Sequence, residues 1–146
     1  MNINSVAVSL RTVRARRFLM VAVALLASGA AGLAQTPVAT SPAEQVRAAE
    51  GLLSQRPSAE NYLNLSLAHF RAGQFKECIA DSRAALKLRP DYAPAWNNIA
   101  AANGAMGLWD EAVPAAKEAL RLDPEFQLAK NNLAWVQGEK DRADKK

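Results

Sequence analysis

The chain has 146 residues, 50% of them apolar and 22% charged, which is enough for one small globular domain. Its single cysteine, Cys78, excludes an internal disulfide. The formal net charge of +4 comes from the N-terminus, which carries Arg11, Arg14, Arg16 and Arg17 and no acidic side chain before Glu44. Without these arginines, basic and acidic side chains are equal at 14 each, so the charge predicts no nucleic-acid-binding surface.

A secretory signal peptide is predicted over residues 1–34. The arginines are followed by the apolar run FLMVAVALLA and the small-residue segment SGAAGLA, which is the order of the three regions of a signal peptide. We expect cleavage after Ala34 and export to the periplasm or the cell exterior. An uncleaved anchor is an alternative because weakly apolar residues extend to Leu33. The unbroken apolar run disfavours an organellar presequence.

A flexible spacer is predicted next, over residues 35–42, because QTPVATSP offers nothing to bury. A leading helix is predicted over residues 43–56. Ser41 and Glu44 have the spacing of a capping box at its start. Its apolar residues recur at helical spacing on one face: Val46, Ala49 and Leu53. The segment RPSAE then ends the helix.

The sequence contains an internal repeat, in which segment 93–126 follows segment 59–92 position by position. The matched pairs include Tyr62 with Trp96, Leu65 with Ile99, Gly73 with Gly107 and Pro90 with Pro124. Each unit predicts two helices with apolar faces turned toward each other. The glycine falls where the first helix must end in a left-handed turn, and the proline closes the second helix.

This pattern, with its period of about 34 residues, resembles the tetratricopeptide repeat. The resemblance covers residues 59–126 as two full units and residues 127–138 as the first helix of a third unit. It implies an all-α solenoid of about six helices, with a signal-peptide helix before it and residues 43–56 as the remnant of an earlier unit. The polar outer face of the last helix, residues 127–140, predicts a cap, and residues 141–146 form a charged tail.

No catalytic or metal site is predicted. The repeat register places His69, the only histidine, on an inward face, where we expect it to be partly buried and hydrogen-bonded. Cys78 is expected to be a small buried side chain. The spacing of Cys78 and His69 in the sequence is not that of metal ligands. We therefore expect no cofactor, and an enzyme is the least favoured class.

The resemblance implies that the first helices of the units line a concave groove that binds a protein or peptide. The residues that it places in this groove are Glu60, Leu63, Leu67, Phe70, Arg71, Asn97, Ala101, Leu128, Asn131 and Trp135. Several of them are large and apolar at positions that the repeat does not need for its own core: Leu63, Leu67, Phe70 and Trp135. This pattern predicts an apolar or amphipathic partner segment.

Asn64, Asn98 and Asn132 share one register of the repeat, and relatives use such an asparagine either for packing or to hold a peptide carboxylate. Here Leu63 and Leu67 replace the lysine and asparagine that a carboxylate clamp needs, so we do not expect a clamp. The favoured function is a non-catalytic binding module. The alternative is a membrane-tethered scaffold of an envelope complex, which requires that the leader stays attached. The sequence predicts no particular oligomeric state.

Overall fold

A computed structural model describes residues 40–145, which form six α-helices. The helices are α1 (Pro42–Gln55), α2 (Ala59–Arg71), α3 (Phe75–Leu88), α4 (Ala93–Ala105), α5 (Trp109–Leu122) and α6 (Gln127–Ala143). The predicted all-α fold is thus confirmed for this part of the chain. The predicted signal peptide and most of the predicted spacer lie outside the described residues. No helix within residues 40–145 has the length and apolar character needed to cross a bilayer.

The first two helices begin at serine caps. The Ser41 backbone N–H donates to Glu44 Oε2 over 2.7 Å, and the Glu44 N–H donates to Ser41 Oγ over 3.3 Å, which is the predicted capping box. Hydrogen bonding of the Glu44 carboxylate to Ser41, chiefly to its backbone N–H, lowers the pKa of Glu44. Ser58 Oγ accepts from the Asn61 backbone N–H over 3.1 Å in the same way at α2. Both caps satisfy backbone donors that the first turn leaves without partners.

In each full unit, one glycine follows shortly after the end of the first helix. Gly73 has φ of 75° and Gly107 has φ of 76°, as the repeat pattern predicts. Only glycine adopts this left-handed conformation without a steric cost, so each glycine lets the chain reverse directly into the second helix.

The helices stack in chain order, each packing on its neighbours. The first helices α2, α4 and α6 also contact one another in series. The core between them is rich in small side chains. Ala85, Ala100 and Ala116 are fully buried, which lets the helix backbones approach closely. Partly buried aromatic rings then fill the remaining space: Tyr62, Phe75 and Trp96.

Asparagine side chains join successive first helices. Asn98 Nδ2 donates to Ser66 Oγ over 2.8 Å, which connects α4 to α2. Asn132 Nδ2 donates to Asn97 Oδ1 over 2.8 Å, which connects α6 to α4. Asn64 occupies the same register in α2 but is exposed, because no first helix precedes α2 within the described residues. The repeated asparagine is therefore a packing residue wherever a preceding first helix is present.

Candidate partner-binding surface

The residues predicted to bind a partner all lie on α2, α4 and α6, and we call the exposed face that these helices share the groove surface. Six of the ten are exposed: Glu60, Leu67, Arg71, Leu128, Asn131 and Trp135. Leu63, Phe70 and Ala101 are half-buried, and Asn97 is buried. A role of these residues in binding stays a prediction.

A row of apolar side chains crosses the groove surface, one from each first helix. Leu67, Ala101 and Trp135 are each one repeat period apart and therefore occupy equivalent positions in α2, α4 and α6. Leu67 is 37% exposed and Trp135 is 42% exposed, while Ala101 between them is half-buried. We call these three residues the apolar row. Its central member is small, whereas the two outer members are large.

Trp135 is held in place by α4 and α5. Its ring packs at 90° to that of Trp109, with 6.0 Å between the ring centroids. The same ring covers Gly104, where an added Cβ would lie 2.6 Å from Trp135 Cζ3. Edge-to-face aromatic contacts of this kind fix ring orientation. Trp135 therefore presents an apolar surface whose orientation is restrained by its contacts with α4 and α5.

Asn97 does not face the groove, and its prediction as a groove residue is wrong in this respect. Only 2% of its surface is exposed. The cause is α6, which lies close against α4 and whose Asn132 bonds to the Asn97 amide oxygen. Gly104 permits this close approach because it has no Cβ.

Two apolar groove residues also contribute to the core, contrary to the sequence-based expectation. Leu63 packs against the buried cluster of Ala59, Ala85 and Ala95. Phe70 packs against Phe75, with ring centroids 5.4 Å apart. Of the four large apolar residues predicted for the groove, Leu67 and Trp135 keep the larger exposed surfaces.

The charged groove residues of α2 are engaged within the chain. Glu60 pairs with Arg89 at the end of α3. Arg89 in turn lies over the Tyr92 ring, with its guanidinium carbon 4.2 Å from the ring centroid. Arg71 donates to Gln45 Oε1 on α1 over 3.3 Å. Because these contacts are exposed, water and salt weaken them. The charged side chains are thus already paired within the chain, and the apolar row is the main feature of the groove surface.

A depression of about 460 Å³ lies between α1 and α2, beside the groove surface. Its lining includes Ala48 and Leu52 of α1 with Asn64, Leu67 and Arg71 of α2. The sequence-based prediction of the binding surface did not include residues of α1. The apolar Leu52, which is exposed on this amphipathic helix, was the signal that could have indicated them. A first helix of an earlier repeat would occupy this position if the solenoid continued.

The side chains with the greatest chemical reactivity are buried in the first repeat. His69 Nδ1 lies 2.6 Å from Asp81 Oδ2, so the predicted half-buried, satisfied histidine is confirmed. Cys78 is fully buried, as predicted, and burial raises the pKa of its thiol to about 12. A thiol with this pKa is not a nucleophile at neutral pH. Within residues 40–145 no group of three or more His, Cys, Asp or Glu side chains could hold a metal ion.

Paired helices stacked in series, with the first helix of each pair on one surface, define an α-helical repeat protein. The family model of the tetratricopeptide repeat matches residues 59–92 and 93–126. The two units are tetratricopeptide repeats, and the resemblance read from the sequence is confirmed for them. No curated protein matches the chain.

Solved tetratricopeptide domains share the fold. The first such domain of human RPAP3 is 22% identical, with a TM-score of 0.66 over 71% of this chain and 83% of that chain. The Sgt2 domain of Aspergillus fumigatus is 18% identical, with a TM-score of 0.67 and 72% of each chain covered. The second human RPAP3 domain, in complex with the HSP70 peptide SGPTIEEVD, is 19% identical, with a TM-score of 0.58 over 63% of this chain and 78% of that chain. At these identities the likeness concerns the fold.

Proposed function

We propose that this protein is a non-catalytic binding module that holds an apolar or amphipathic segment of a partner protein on its groove surface. The observation that carries the proposal is the apolar row. Leu67 and Trp135 expose large apolar side chains on first helices, although the Trp135 ring also covers Gly104 of α4. Exposed apolar surface in a fixed arrangement is typical of a protein interaction site.

The chemistry of the expected ligand follows from the side chains in and beside the apolar row. Ala101 is the small member between Leu67 and Trp135, and we expect one apolar side chain of the partner to insert there. Leu128 adds apolar surface on α6, with 45% of it exposed. An amphipathic helix or strand presents side chains of this kind on one face and leaves its polar face in water.

An acidic peptide such as the one bound by the second RPAP3 domain is a poorer candidate. Tight recognition of a carboxylate needs charged donors that are free to approach it. On α2, Arg71 bonds to Gln45, and the neighbouring groove positions carry Leu63 and Leu67. Glu60 adds a negative charge to the same helix, although Arg89 partly neutralises it.

Calorimetric titration of the full chain with short synthetic peptides tests the proposal. We expect an amphipathic peptide to bind and SGPTIEEVD to bind at least about tenfold more weakly. The variant Ala101→Arg places a charge at the centre of the apolar row and should abolish binding of the amphipathic peptide.

Ala80→Arg is the matched control, because Ala80 is exposed on α3, away from the first helices. It should bind as the wild type does. Far-UV circular dichroism checks that both variants are folded. Equal peptide affinity in wild type and Ala101→Arg would contradict binding at the apolar row, and preferential binding of the acidic peptide would contradict the ligand class.

Export is part of the proposal, and it rests on the sequence of residues 1–34. N-terminal sequencing of the protein recovered from an exporting bacterial host tests it. A chain that begins at Gln35 supports an exported, released module. A membrane-associated chain that retains residues 1–34 supports a tethered scaffold, and a full-length chain in the cytoplasm contradicts export.

A further inference from the structure

The described helices begin and end with half a repeat. In the full repeats a first helix, α2 or α4, is followed by a second helix, α3 or α5. The last described helix, α6, is a first helix, and no second helix follows it within residues 40–145. At the other end α1 stands in the register of a second helix, since Ala48 lies one repeat period before Ser82 and two periods before Ala116.

The contact between α4 and α6 has two complementary halves. On α4, Asn97 offers an amide oxygen and Gly104 offers a backbone without a Cβ. On α6, Asn132 donates to that oxygen over 2.8 Å. Trp135 and Val136 cover the glycine, where an added Cβ would lie 2.6 Å from Trp135 Cζ3 and 2.8 Å from Val136 Cγ1. We call Asn97 and Gly104 the receiving pair.

The receiving pair recurs on α6, where no further helix covers it within the described residues. Asn131 and Gly138 lie one repeat period after Asn97 and Gly104. Asn131 is exposed, and its Oδ1 accepts from Gln127 Nε2 over 3.0 Å. A carbonyl oxygen has a second lone pair that can accept another hydrogen bond. An added Cβ at Gly138 would meet only Arg142 Nη2, at 4.0 Å.

The other half of the contact recurs on α2. Asn64, Leu67 and Ala68 lie two repeat periods before Asn132, Trp135 and Val136. All three line the depression of about 460 Å³ between α1 and α2. Asn64 and Leu67 are exposed. The two ends of the solenoid therefore carry the two halves of a contact that the chain already makes internally.

We propose that the protein associates head to tail, with α6 of one copy seated in the α1–α2 depression of a second copy. Asn64 of the second copy donates to Asn131, and Leu67 packs over Gly138. In this arrangement α6 of one copy serves as the first helix and α1 of the other copy as the second helix of one complete repeat. Ala134 of α6 and Ala48 of α1, both exposed, take the places of Ala100 and Ala116, which are fully buried in the second repeat.

Because this interface joins different surfaces of the two copies, it is heterologous and can continue from copy to copy. It contains one helix packed on two, so we expect weak, concentration-dependent association. The inference goes beyond the proposed function, because it joins two copies through α1, α2 and α6, although Leu67 also belongs to the apolar row. Variants at the centre of the apolar row should not affect it.

Sedimentation of the full chain over a concentration series up to about 1 mM tests the proposal. We expect the average mass of the wild type to rise with concentration. Gly138→Arg blocks the receiving pair at one end, and Leu67→Arg blocks the depression at the other, so each should remain monomeric alone. Both sites are accessible in the isolated chain, so the variants should fold, and Ala80→Arg should associate as the wild type does.

The mixture of the two variants is the decisive measurement. Each variant retains the end that the other has lost, so the mixture should form a dimer containing one of each and nothing larger. A wild type that stays monomeric overturns the proposal. Association that survives in Gly138→Arg, or a mixture that stays monomeric, overturns it as well. Peptide binding that persists in monomeric Gly138→Arg separates this result from the proposed function.

Discussion

Asn132 donates a hydrogen bond from Nδ2 to Oδ1 of Asn97 over 2.8 Å, and this bond joins the last helix to the second repeat. Asn97 is 2% exposed, so water cannot replace the partner easily. Removal of a hydrogen-bonded partner at such a site costs about 1–2 kcal/mol. We expect Asn97→Ala to lower the free energy of unfolding by that amount, as measured by urea denaturation.

Asn64→Ala is the control for this prediction. Asn64 has the repeat register of Asn98 and Asn132 but is exposed, so its loss should change stability by less than about 0.5 kcal/mol. Alanine has the higher helix propensity at both sites, so a loss of stability cannot come from helix propensity. Equal losses in the two variants would therefore contradict a stabilising role of the bond between α4 and α6.

Gly104 and Gly138 form a natural pair for measuring the contact between α4 and α6. Alanine raises helix propensity by about 1 kcal/mol at either site. At Gly104 the added methyl would overlap Trp135 and Val136, which costs about 1–3 kcal/mol because α6 must shift. We expect Gly104→Ala to be less stable than Gly138→Ala by about that overlap cost in urea denaturation. Equal stability of the two variants would show that α6 does not pack on Gly104.

The helices could be predicted well from the sequence because each unit of the internal repeat contains several independent signals for the same helix boundaries. Gly73 and Gly107 have the left-handed φ that their place in the pattern requires. Asn97 was misplaced because periodicity gives the face of a helix but not its distance from a neighbour. That distance depends on Gly104, two turns further along α4, and on which α6 side chain fills the gap.

The hydrogen-bond partner of His69 also could not be predicted from the sequence. The repeat register predicted an inward position, but Asp81 lies on the next helix, and Glu60 and Glu77 are both nearer to His69 in the sequence. Phe70 was assigned to the groove for a related reason. One helix face is wide enough to touch both the groove and the core, and only the packed structure shows that its ring contacts Phe75.

The Asp81 carboxylate gives the first repeat a pH-dependent stability. Burial raises its pKa above the usual 3.8, and this outweighs the lowering effect of the hydrogen bond from His69. The folded chain therefore binds this proton more tightly than the unfolded chain. The resulting stabilisation is complete below pH 3.8 and is lost as the pH rises through the raised pKa. Relative to Asp81→Asn, the wild type should lose stability over this window in urea titrations.

His69→Gln gives the matched test of that prediction. Without His69, its lowering effect on the pKa of Asp81 disappears, so the loss of stability should move to higher pH. A wild-type profile parallel to that of Asp81→Asn across the acidic range would contradict a raised pKa.

Cys78 should report on opening of the first repeat. Its side chain is fully buried, and burial is the main cause that raises the pKa of the thiol from 9.0 to about 12. A shift of this size reduces the reactive thiolate about a thousandfold near pH 8, before steric protection is counted. We expect labelling by a thiol reagent at pH 8 to be slow in the folded chain and rapid in urea. The matched control is Cys78→Ala combined with Ala80→Cys, which moves the single thiol to an exposed site on the same helix and should react at once. If Cys78 reacts as fast as this control without denaturant, then α3 opens from α2 and α4 in the native state. The packing of the first repeat would then be looser than the full burial of Cys78 and Ala85 indicates.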